Sequence, residues 1–379
     1  MANINDYIKW RGDIALDKDY PFNEVDSMIL ARFSYLIFEQ IKMESEETIE
    51  TISMKMDKFE NDDFHYNGDK ELISYLGKSS RFKNMKVTDF VKNNERENEK
   101  QFGAIVIHIN KYELYVSYIG TDNTIYGWKE DFNMAFMSNV PCQIEGKEYL
   151  KRIANKYKHK KIRIGGHSKG GNVAIYSAIM ADLKIQDRII KVYNYDGPGF
   201  NQEIANEYAK EAIIEKIETY FPQESIIGRI MNHEEKCSVA FSKEKGILQH
   251  DIYSWQVLGT NLIYSAKLTK SSEIMNTAVT SWLTNTSNEQ RKIFIDTIFE
   301  LFYATDANTF GEISKNLMNN LSIIFKKYGE ISKEDKKIMT AMIKSFVKEY
   351  FSETFTIEKN QIKEQVMNRI GKKKEAIGE

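Results

Sequence analysis

The residues that mark turns are unevenly distributed along this chain. The last of the four prolines is Pro222, and only four of the 20 glycines lie in the last 120 residues. Because glycine and proline punctuate secondary structure, strand ends and tight loops should lie in the first two thirds. The pattern predicts a sheet-containing domain over residues 1–260 and an all-helical C-terminal extension over residues 261–379.

Hydrophobic periodicity predicts an α/β architecture for the first part. Residues 1–60 place apolar side chains at helical spacings of three and four, whereas Asn61–Glu99 is polar, with one short helix. A β-hairpin is predicted over Phe102–Ile119, and strands then alternate with helices. The predicted strands are Lys161–Ile164, Arg188–Tyr195, Lys216–Phe221, Cys237–Phe241 and Gly246–Gln249, and the predicted helices are Lys147–Tyr157, Asn172–Leu183, Ile204–Glu215, Ser287–Tyr303, Thr309–Tyr328 and Lys333–Phe351. This alternation favours a mostly parallel sheet flanked by helices.

Composition excludes several classes of function. The 53 Lys and Arg residues balance 55 Asp and Glu residues, so the basic surplus typical of nucleic-acid binding is missing. Cys142 and Cys237 are too few for a disulfide framework or a zinc site, and no metal or cofactor is expected. Neither a signal peptide nor an apolar run of about 18–20 residues is visible. The sequence therefore predicts a soluble, cytoplasmic protein whose function lies in a pocket.

One short segment carries the signature of a nucleophile. Residues 166–170 read Gly-His-Ser-Lys-Gly, a G-x-S-x-G pattern between a predicted strand and a helix rich in small residues. In that context the serine occupies a tight strand-to-helix turn that exposes its hydroxyl. Ser168 is the candidate nucleophile, and the backbone N–H of Lys169 is a candidate oxyanion donor. The alternative is that the segment is a glycine-rich packing turn with no catalytic role.

A serine nucleophile needs a base, which in this fold follows it in the chain. The two histidines after Ser168 are His233 and His250. His233 lies in a polar run that resembles a solvated loop, whereas His250 ends a strand-like run and precedes Asp251. His250 is the favoured base, and the alternative for it is a structural histidine bonded to a backbone group.

The acid that would orient the histidine has two candidates. Glu224 follows the second predicted strand after the serine, and Asp196 follows the first and begins an Asp-Gly-Pro-Gly loop. Either carboxylate can fix the histidine tautomer and stabilise the imidazolium. Glu224 is slightly favoured by its position, and Asp196 remains open, with a loop-capping carboxylate as its alternative.

The second oxyanion donor should come from a loop after an earlier strand. Gly120 and Thr121 end the predicted hairpin, and the N–H and hydroxyl of Thr121 are candidate donors. A β-turn without a catalytic role is the other interpretation.

These pieces together resemble the fungal-type class 3 lipase branch of the α/β hydrolases, and more closely the bacterial Mbeg-like family of lipase-like proteins. The resemblance rests on Gly120-Thr121, Trp128-x-x-Asp131-Phe132, Gly166-His167-Ser168-x-Gly170-Gly171, Asn194-Tyr195-Asp196-Gly197-Pro198-Gly199-Phe200, Pro222-Gln223-Glu224-Ser225, Gln249-His250-Asp251 with Trp255, and the N-terminal segments Asn5-Asp6-Tyr7-Ile8-x-Trp10 and Pro21-Phe22-Asn23-Glu24-Val25-Asp26. It covers residues 1 to about 260.

The resemblance implies a serine hydrolase in which Ser168 is the nucleophile, His250 the base, and Thr121 and Lys169 the oxyanion donors. The lipases have an aspartate where this chain has Glu224, which keeps Asp196 open as the acid.

The expected activity is hydrolysis of a small-molecule or lipid acyl ester through an acyl-enzyme, without a cofactor. Two alternatives remain: an acyltransferase or thioesterase with the same triad, and a non-catalytic binding scaffold on a hydrolase fold. No sequence feature supports contact with a membrane surface.

Overall fold

An eight-stranded sheet whose strands lie side by side in chain order forms the centre of the fold. The computed structural model describes residues 2–122, 124–208, 212–352 and 354. The strands are β1 (Glu47–Thr48), β2 (Lys86–Glu95), β3 (Lys100–His108), β4 (Glu113–Tyr118), β5 (Lys161–His167), β6 (Ile189–Tyr195), β7 (Ile217–Pro222) and β8 (Lys236–Ala240), followed by the antiparallel pair β9 (Val257–Leu258) and β10 (Asn261–Leu262). Strands β1 to β4 pair antiparallel, and β4 to β8 pair parallel. The carboxyl ends of β4 to β8 therefore meet at one edge.

Helices cover both faces of this sheet and continue beyond it. They are α1 (Ile4–Arg11), α2 (Glu24–Phe33), α3 (Ile49–Met56), α4 (Asp69–Lys78), α5 (Ile125–Asn133), α6 (Pro141–Lys156), α7 (Lys169–Ile179), α8 (Leu183–Gln186), α9 (Gln202–Tyr208), α10 (Lys270–Thr284), α11 (Asn288–Tyr303), α12 (Phe310–Lys315) and α13 (Leu317–Glu330), and residues 333–352 are also helical. Asn3 and Asn23 begin α1 and α2 with capping boxes, which satisfy N–H groups that a helix start leaves unpaired.

The two faces of the sheet belong to separate apolar cores. On β3, Ile105 and Ile107 join the core formed with α1 to α4, whereas Val106 joins the core formed with α6 and α7. This alternation follows from the two-residue period of a strand. Burying side chains of this size contributes about 1.5–3 kcal/mol each, and both layers hold the strand ends in place.

The C-terminal helices attach to the first part of the chain through α5. Ile295 and Phe299 of α11 pack with Ile125 at the start of α5. The buried Lys129 ammonium on α5 lies 2.5 Å from the Asp296 carboxylate on α11. The helical extension thus contacts the helix that follows the predicted oxyanion loop.

The predicted fold class is confirmed: a mostly parallel sheet is flanked by helices, with helices before it and after it. One predicted strand is wrong, because residues Gly246–His250 form a 3₁₀ helix. Gly246 has φ +56, which is not extended, and Ile247 and Leu248 are exposed rather than packed in the sheet.

Strand β2 was not predicted, since its polar segment lacks a regular two-residue alternation. A bulge between Thr88 and Val91, with Asp89 at φ 54, shifts the register in the middle of the strand. The predicted helix Thr309–Tyr328 is divided at Asn316 into α12 and α13. Part of the predicted helix Ile204–Glu215 and the chain from residue 355 onward lie outside the described residues.

Among the described helices, none has the length and apolarity needed to cross a bilayer. Cys142 is buried and Cys237 exposed, and both are free thiols.

Candidate active site

Ser168 occupies the turn between β5 and α7. The strand ends at His167 and the helix begins at Lys169, so one residue makes the whole connection. Its backbone has φ 57 and ψ −133, a strained conformation that residues other than glycine rarely adopt. Its N–H donates to the carbonyl of Tyr195 at 2.9 Å, while its hydroxyl makes no hydrogen bond within the described part of the chain. The hydroxyl is therefore available at the helix N-terminus.

Glycine is required on both sides of this turn because backbones pass close to one another. A Cβ atom on Gly166 would lie 2.3 Å from the carbonyl carbon of Gly170. A Cβ atom on Gly170 would lie 2.2 Å from the carbonyl oxygen of Tyr118. The two glycines let α7 approach β4 and β5, which places Ser168 at the carboxyl edge of the sheet.

A carboxylate holds the His250 ring close to this turn. His250 Nδ1 lies 2.6 Å from Oδ2 of Asp196, the residue that directly follows β6. The other carboxylate oxygen of Asp196 accepts a hydrogen bond from the Ser225 hydroxyl at 2.5 Å, and Asp196 is only 1% exposed. Since a carboxylate accepts, Nδ1 carries the proton and Nε2 keeps a lone pair. Nε2 is therefore the ring nitrogen that the contact with Asp196 leaves available.

Glu224, the slightly favoured acid, has a different partner. Its carboxylate accepts from the backbone N–H of Gly246, and its own N–H donates to the side chain of Gln249 at 2.8 Å. Glu224 therefore holds the 3₁₀ helix that ends at His250, and the described structure pairs the imidazole with Asp196. The geometry does not support the preference for Glu224, which rested on chain order rather than on the direction of the side chain.

His233, the less favoured base, is held in a cluster of its own. Its Nδ1 lies 2.8 Å from Oε1 of Glu235, and its Nε2 lies 2.7 Å from the carbonyl oxygen of Gly228. Both ring nitrogens are thus engaged, which leaves neither for a serine proton.

His167 is a residue of the site that the sequence interpretation missed. Its Nε2 donates to the backbone carbonyl of His250 at 2.7 Å, and the two rings lie 4.5 Å apart. The Tyr35 hydroxyl donates to the carbonyl of His167 at 2.9 Å. Burial lowers the pKa of His167 well below its usual range, so the ring is neutral. The only sequence signal for a role of His167 was its position next to Ser168, because its hydrogen-bond partner, His250, lies 83 residues further along the chain.

The backbone N–H groups of Thr121 and Lys169 make no hydrogen bond within the described residues. Gly120 packs so closely on the turn that a Cβ atom would lie 2.6 Å from the His167 carbonyl oxygen. The Thr121 hydroxyl donates to Oδ2 of Asp131 at 2.5 Å. The hydroxyl is therefore engaged, and the N–H is the group that Thr121 offers to a ligand.

The side chain of Lys169 lies beneath this loop in an ion pair. Its ammonium is 2.9 Å from Oε2 of Glu130, 2.9 Å from the side-chain oxygen of Gln101 and 3.6 Å from Oδ1 of Asp131. Lys169 is 1% exposed and Glu130 fully buried. Burial alone would lower the pKa of Lys169, but the carboxylates of Glu130 and Asp131 outweigh it and raise the pKa above its usual value. The lysine anchors the start of α7 as a buried cation.

Asp131 titrates in an unusual range for a carboxyl group. Burial raises its pKa to about 6, against opposing contributions from Lys169 and Thr121. Its value in the unfolded chain is about 4. The folded protein therefore holds this proton more tightly, and the stability from Asp131 is fully present below about pH 4 and lost as the pH rises to about 6.

Asp131→Asn is consequently expected to raise the free energy of unfolding by about 1–3 kcal/mol at pH 8, with little change at pH 4. Urea denaturation of the variant and of wild type at both pH values measures this difference. Asp62→Asn, a change on the exposed surface, should show no pH-dependent gain. Equal stability of Asp131→Asn and wild type at pH 8 would contradict the prediction.

One group among the described residues has metal-ligand chemistry. His233 and Glu235 directly precede β8 and Cys237 lies within it, with the ligand atoms of all three within 4.8 Å of one another. The His233–Glu235 contact occupies Nδ1. A metal would have to displace the His233–Glu235 contact, and the group contains none of the residues around Ser168.

A family model described as Mbeg1-like matches residues 76–300, more than half of the chain. The matched region includes Thr121, Ser168, Asp196 and His250, and it extends past the predicted domain boundary at residue 260 into α11. No protein with a curated description matches the sequence.

Several solved lipase structures are similar to part of the chain. A fungal lipase–inhibitor complex, described as a model for interfacial activation in lipases, is 14% identical over 46% of this chain and 70% of its own, with a TM-score of 0.34. The Rhizomucor miehei lipase propeptide complex is 14% identical over 51% and 64%, with a TM-score of 0.34. Lipase II from Rhizopus niveus is 13% identical over 42% and 63%, with a TM-score of 0.29. This chain thus spans 64% and 63% of the latter two lipases.

Proposed function

The chain belongs to the Mbeg1-like family, and we propose that it is a serine hydrolase that cleaves acyl esters through an acyl-enzyme. One observation carries the proposal: a strained serine at a helix N-terminus directly follows His167, whose ring lies 4.5 Å from that of His250, and the Nδ1 of His250 is 2.6 Å from a buried aspartate. Strain is retained where the surrounding structure holds it in place, and it concentrates at functional sites. The substrate is a small-molecule or lipid ester.

In the first half-reaction, His250 Nε2 accepts the proton of the Ser168 hydroxyl. The serine oxygen forms a bond to the ester carbonyl carbon, and the carbonyl π electrons move to its oxygen. The N–H groups of Lys169 and Thr121 donate to that oxyanion. As the carbonyl re-forms, the bond to the alcohol oxygen breaks, and the protonated His250 delivers its proton to the leaving alcohol.

The second half-reaction repeats these steps with water. His250 removes a proton from a water molecule, whose oxygen attacks the acyl carbon of the ester formed on Ser168. Collapse of this second oxyanion breaks the bond to the serine oxygen, which regains the proton from His250 and releases the carboxylic acid. Asp196 does not take up a proton; it keeps Nδ1 protonated and stabilises the imidazolium that forms twice in each cycle.

Burst kinetics test the proposal. A p-nitrophenyl ester mixed with the full chain should release about one p-nitrophenol per active chain before the slower steady state, provided that deacylation limits turnover. Radiolabelled acyl groups isolated on the protein after acid quench detect the acyl-enzyme independently of which step limits. If the chain neither turns over any ester nor retains an acyl group, the proposed function is wrong.

The contact between His167 and the base gives a prediction specific to this site. His167→Phe removes the donor to the His250 carbonyl while keeping a ring of similar size. A lost buried hydrogen bond of about 1–1.5 kcal/mol corresponds to a roughly tenfold lower kcat, with KM nearly unchanged because His167 is buried and acts through His250.

His167→Gln places an amide donor near the position of Nε2 and should recover kcat to within about threefold of wild type. His159→Phe, on the exposed surface, is the matched control and should be indistinguishable from wild type. Steady-state kinetics with one ester measure all three. Equal kcat values for the Phe and Gln variants at position 167 would show that the hydrogen bond has no role in positioning the base.

A further inference from the structure

The last helix of the described chain, residues 333–352, packs against α10 along one side. Met339 and Met342 are buried, and the Trp282 indole of α10 donates to the Met342 carbonyl at 3.1 Å. The Trp282 ring also lies edge-on to Phe346, with the ring centroids 6.0 Å apart. Because residues three and four positions apart share one side of a helix, these contacts define the packed side of the last helix.

The neighbouring side of the last helix carries an apolar row. Ile343, Val347 and Phe351 follow one another at intervals of four residues and are 44–56% exposed. Of the 18 large apolar residues that are exposed in the described parts of the chain, seven lie between residues 317 and 351, which is less than a tenth of the 379 residues. Such a concentration indicates an interaction surface, whereas single exposed apolar residues are common on any protein.

A row of lysines lies beside the apolar row. Lys344 and Lys348 directly follow Ile343 and Val347 in the chain, which places the two rows about 100° apart around the helix axis. Intervals of four, seven and four residues keep the lysines on one side of the helix. None of them forms an ion pair with another described residue. The lysine row consists of four exposed residues: Lys333, Lys337, Lys344 and Lys348.

Glu349, which follows Lys348 in the chain, is held at the packed side of the last helix. Its carboxylate accepts from the side chain of Asn285, at the end of α10, at 3.3 Å. The whole chain has a formal net charge of −2, so the lysine row is a local concentration of positive charge rather than part of a basic protein. An anionic surface is therefore attracted to this face and not to the chain as a whole.

The two rows restrict what can cover this face. A second copy of the chain could bury the apolar row, but it presents the same face and so offers no acidic groups to the lysines. An anionic lipid bilayer matches both rows at once. Apolar side chains enter the boundary between head groups and acyl chains, while lysine ammonium groups reach the phosphates on their flexible stems.

We propose that the last helix binds the surface of an anionic lipid bilayer, with the apolar row inserted at the level of the head groups and the lysine row against the lipid phosphates. The helix lies along the surface and does not span the bilayer. Each lysine contributes about fivefold to the partition coefficient at low salt, and this contribution falls as salt screens the charges. The binding goes beyond ester hydrolysis and does not rest on it.

Co-sedimentation of the full chain with lipid vesicles tests the proposal. Wild type should bind vesicles of equal parts phosphatidylglycerol and phosphatidylcholine, and should bind phosphatidylcholine vesicles at least about tenfold more weakly. Changing all four lysines of the row to glutamine should lower the partition coefficient for the anionic vesicles about a hundredfold or more. Val347→Asp should lower it at least about tenfold, because it places a carboxylate in the apolar row.

Two matched controls repeat these changes elsewhere on the surface. Leu183→Asp makes the apolar-to-acidic change at another exposed residue and should bind as wild type does. Glutamine at four other exposed lysines changes the net charge equally and should alter binding less than about threefold. These control lysines are Lys111, Lys151, Lys158 and Lys184. Far-UV circular dichroism verifies that every variant keeps the helix content of wild type.

The proposal is overturned if wild type binds neither kind of vesicle, or if it binds both kinds equally. It is also overturned if the control lysine set weakens binding as much as the lysine row does, since net charge would then act rather than this face. Light scattering tests the other occupant. A wild-type dimer that Val347→Asp converts to a monomer would assign the face to a second copy of the chain.

Discussion

Replacing Asp196 with asparagine should lower kcat for ester hydrolysis by about 10³–10⁴-fold while leaving KM nearly unchanged. The asparagine can still accept or donate a hydrogen bond toward His250 Nδ1 across the present 2.6 Å contact. It cannot stabilise an imidazolium, and its amide group can donate to Nδ1 and so stabilise the tautomer that places the proton on Nε2. A histidine in that tautomer has no lone pair for the Ser168 proton. Steady-state kinetics over a range of ester concentrations measure the effect.

Glu224→Gln is the matched control, because it makes the same chemical change at the other candidate acid. Its side-chain oxygen can still accept from the Gly246 N–H, so kcat should fall less than about tenfold. Comparing kcat of the two variants shows which of the two carboxylates orients His250. A larger loss in Glu224→Gln than in Asp196→Asn would assign the acid to Glu224 and refute the mechanism given above.

The second large effect is on stability. Removing either member of the Lys169–Glu130 pair leaves the other charge buried with incomplete compensation, which costs about 3–5 kcal/mol. Lys169→Met and Glu130→Gln should therefore each lower the free energy of unfolding by that amount. Both residues lie close to Asp131, which holds the Thr121 hydroxyl, and Glu130 also accepts from the N–H groups of Gln101 and Cys142. Urea denaturation followed by far-UV circular dichroism measures the loss.

The double variant, with Met at 169 and Gln at 130, should recover part of the loss, because it removes both charges together. The Lys92–Glu39 pair supplies a control at similar separation, 2.7 Å, but with both side chains partly exposed. Lys92→Met should cost no more than about 1 kcal/mol. Losses below 1 kcal/mol for both buried single variants would show that the pair does not hold the loop.

The parts of the site that depend on local sequence could be predicted. The glycines around Ser168 are required by contacts within a few residues, so the strand–turn–helix context was visible in the pentapeptide and its flanks. The same holds for the alternation of strands and helices from β4 to β7, because each element carries its own hydrophobic period. Chain order left His233 and His250 as candidates, and His250 was favoured for ending a strand-like run that is in fact a 3₁₀ helix. The structure places its ring 4.5 Å from that of His167.

The parts that depend on long-range contacts could not be predicted. Asp196 and Glu224 both follow strands, and what separates them is the direction of each side chain, set by the loop of Asp196 and by the 3₁₀ helix before His250. The partner of His167 is 83 residues away, and that of Tyr35 is 132 residues away. No periodic pattern encodes such contacts, which arise when the carboxyl ends of the strands meet.

The position of the Lys169 side chain could not be predicted from the sequence either. Its backbone N–H was the feature of interest, and nothing in the sequence indicated that its side chain turns inward to Glu130 on α5. A buried lysine is rare unless it is paired, and the pair is recognisable only when both helices are in place.

The most direct test of the central claim is to map the site at which a fluorophosphonate reacts. The full chain is treated with the reagent, its intact mass is measured, and the modified peptide is sequenced by tandem mass spectrometry. The mechanism predicts one adduct per chain, on Ser168, lost in Ser168→Ala and formed much more slowly in Asp196→Asn. A folded wild-type chain that gains no adduct, or an adduct that persists in Ser168→Ala, would contradict the claim that Ser168 is the nucleophile of a hydrolase.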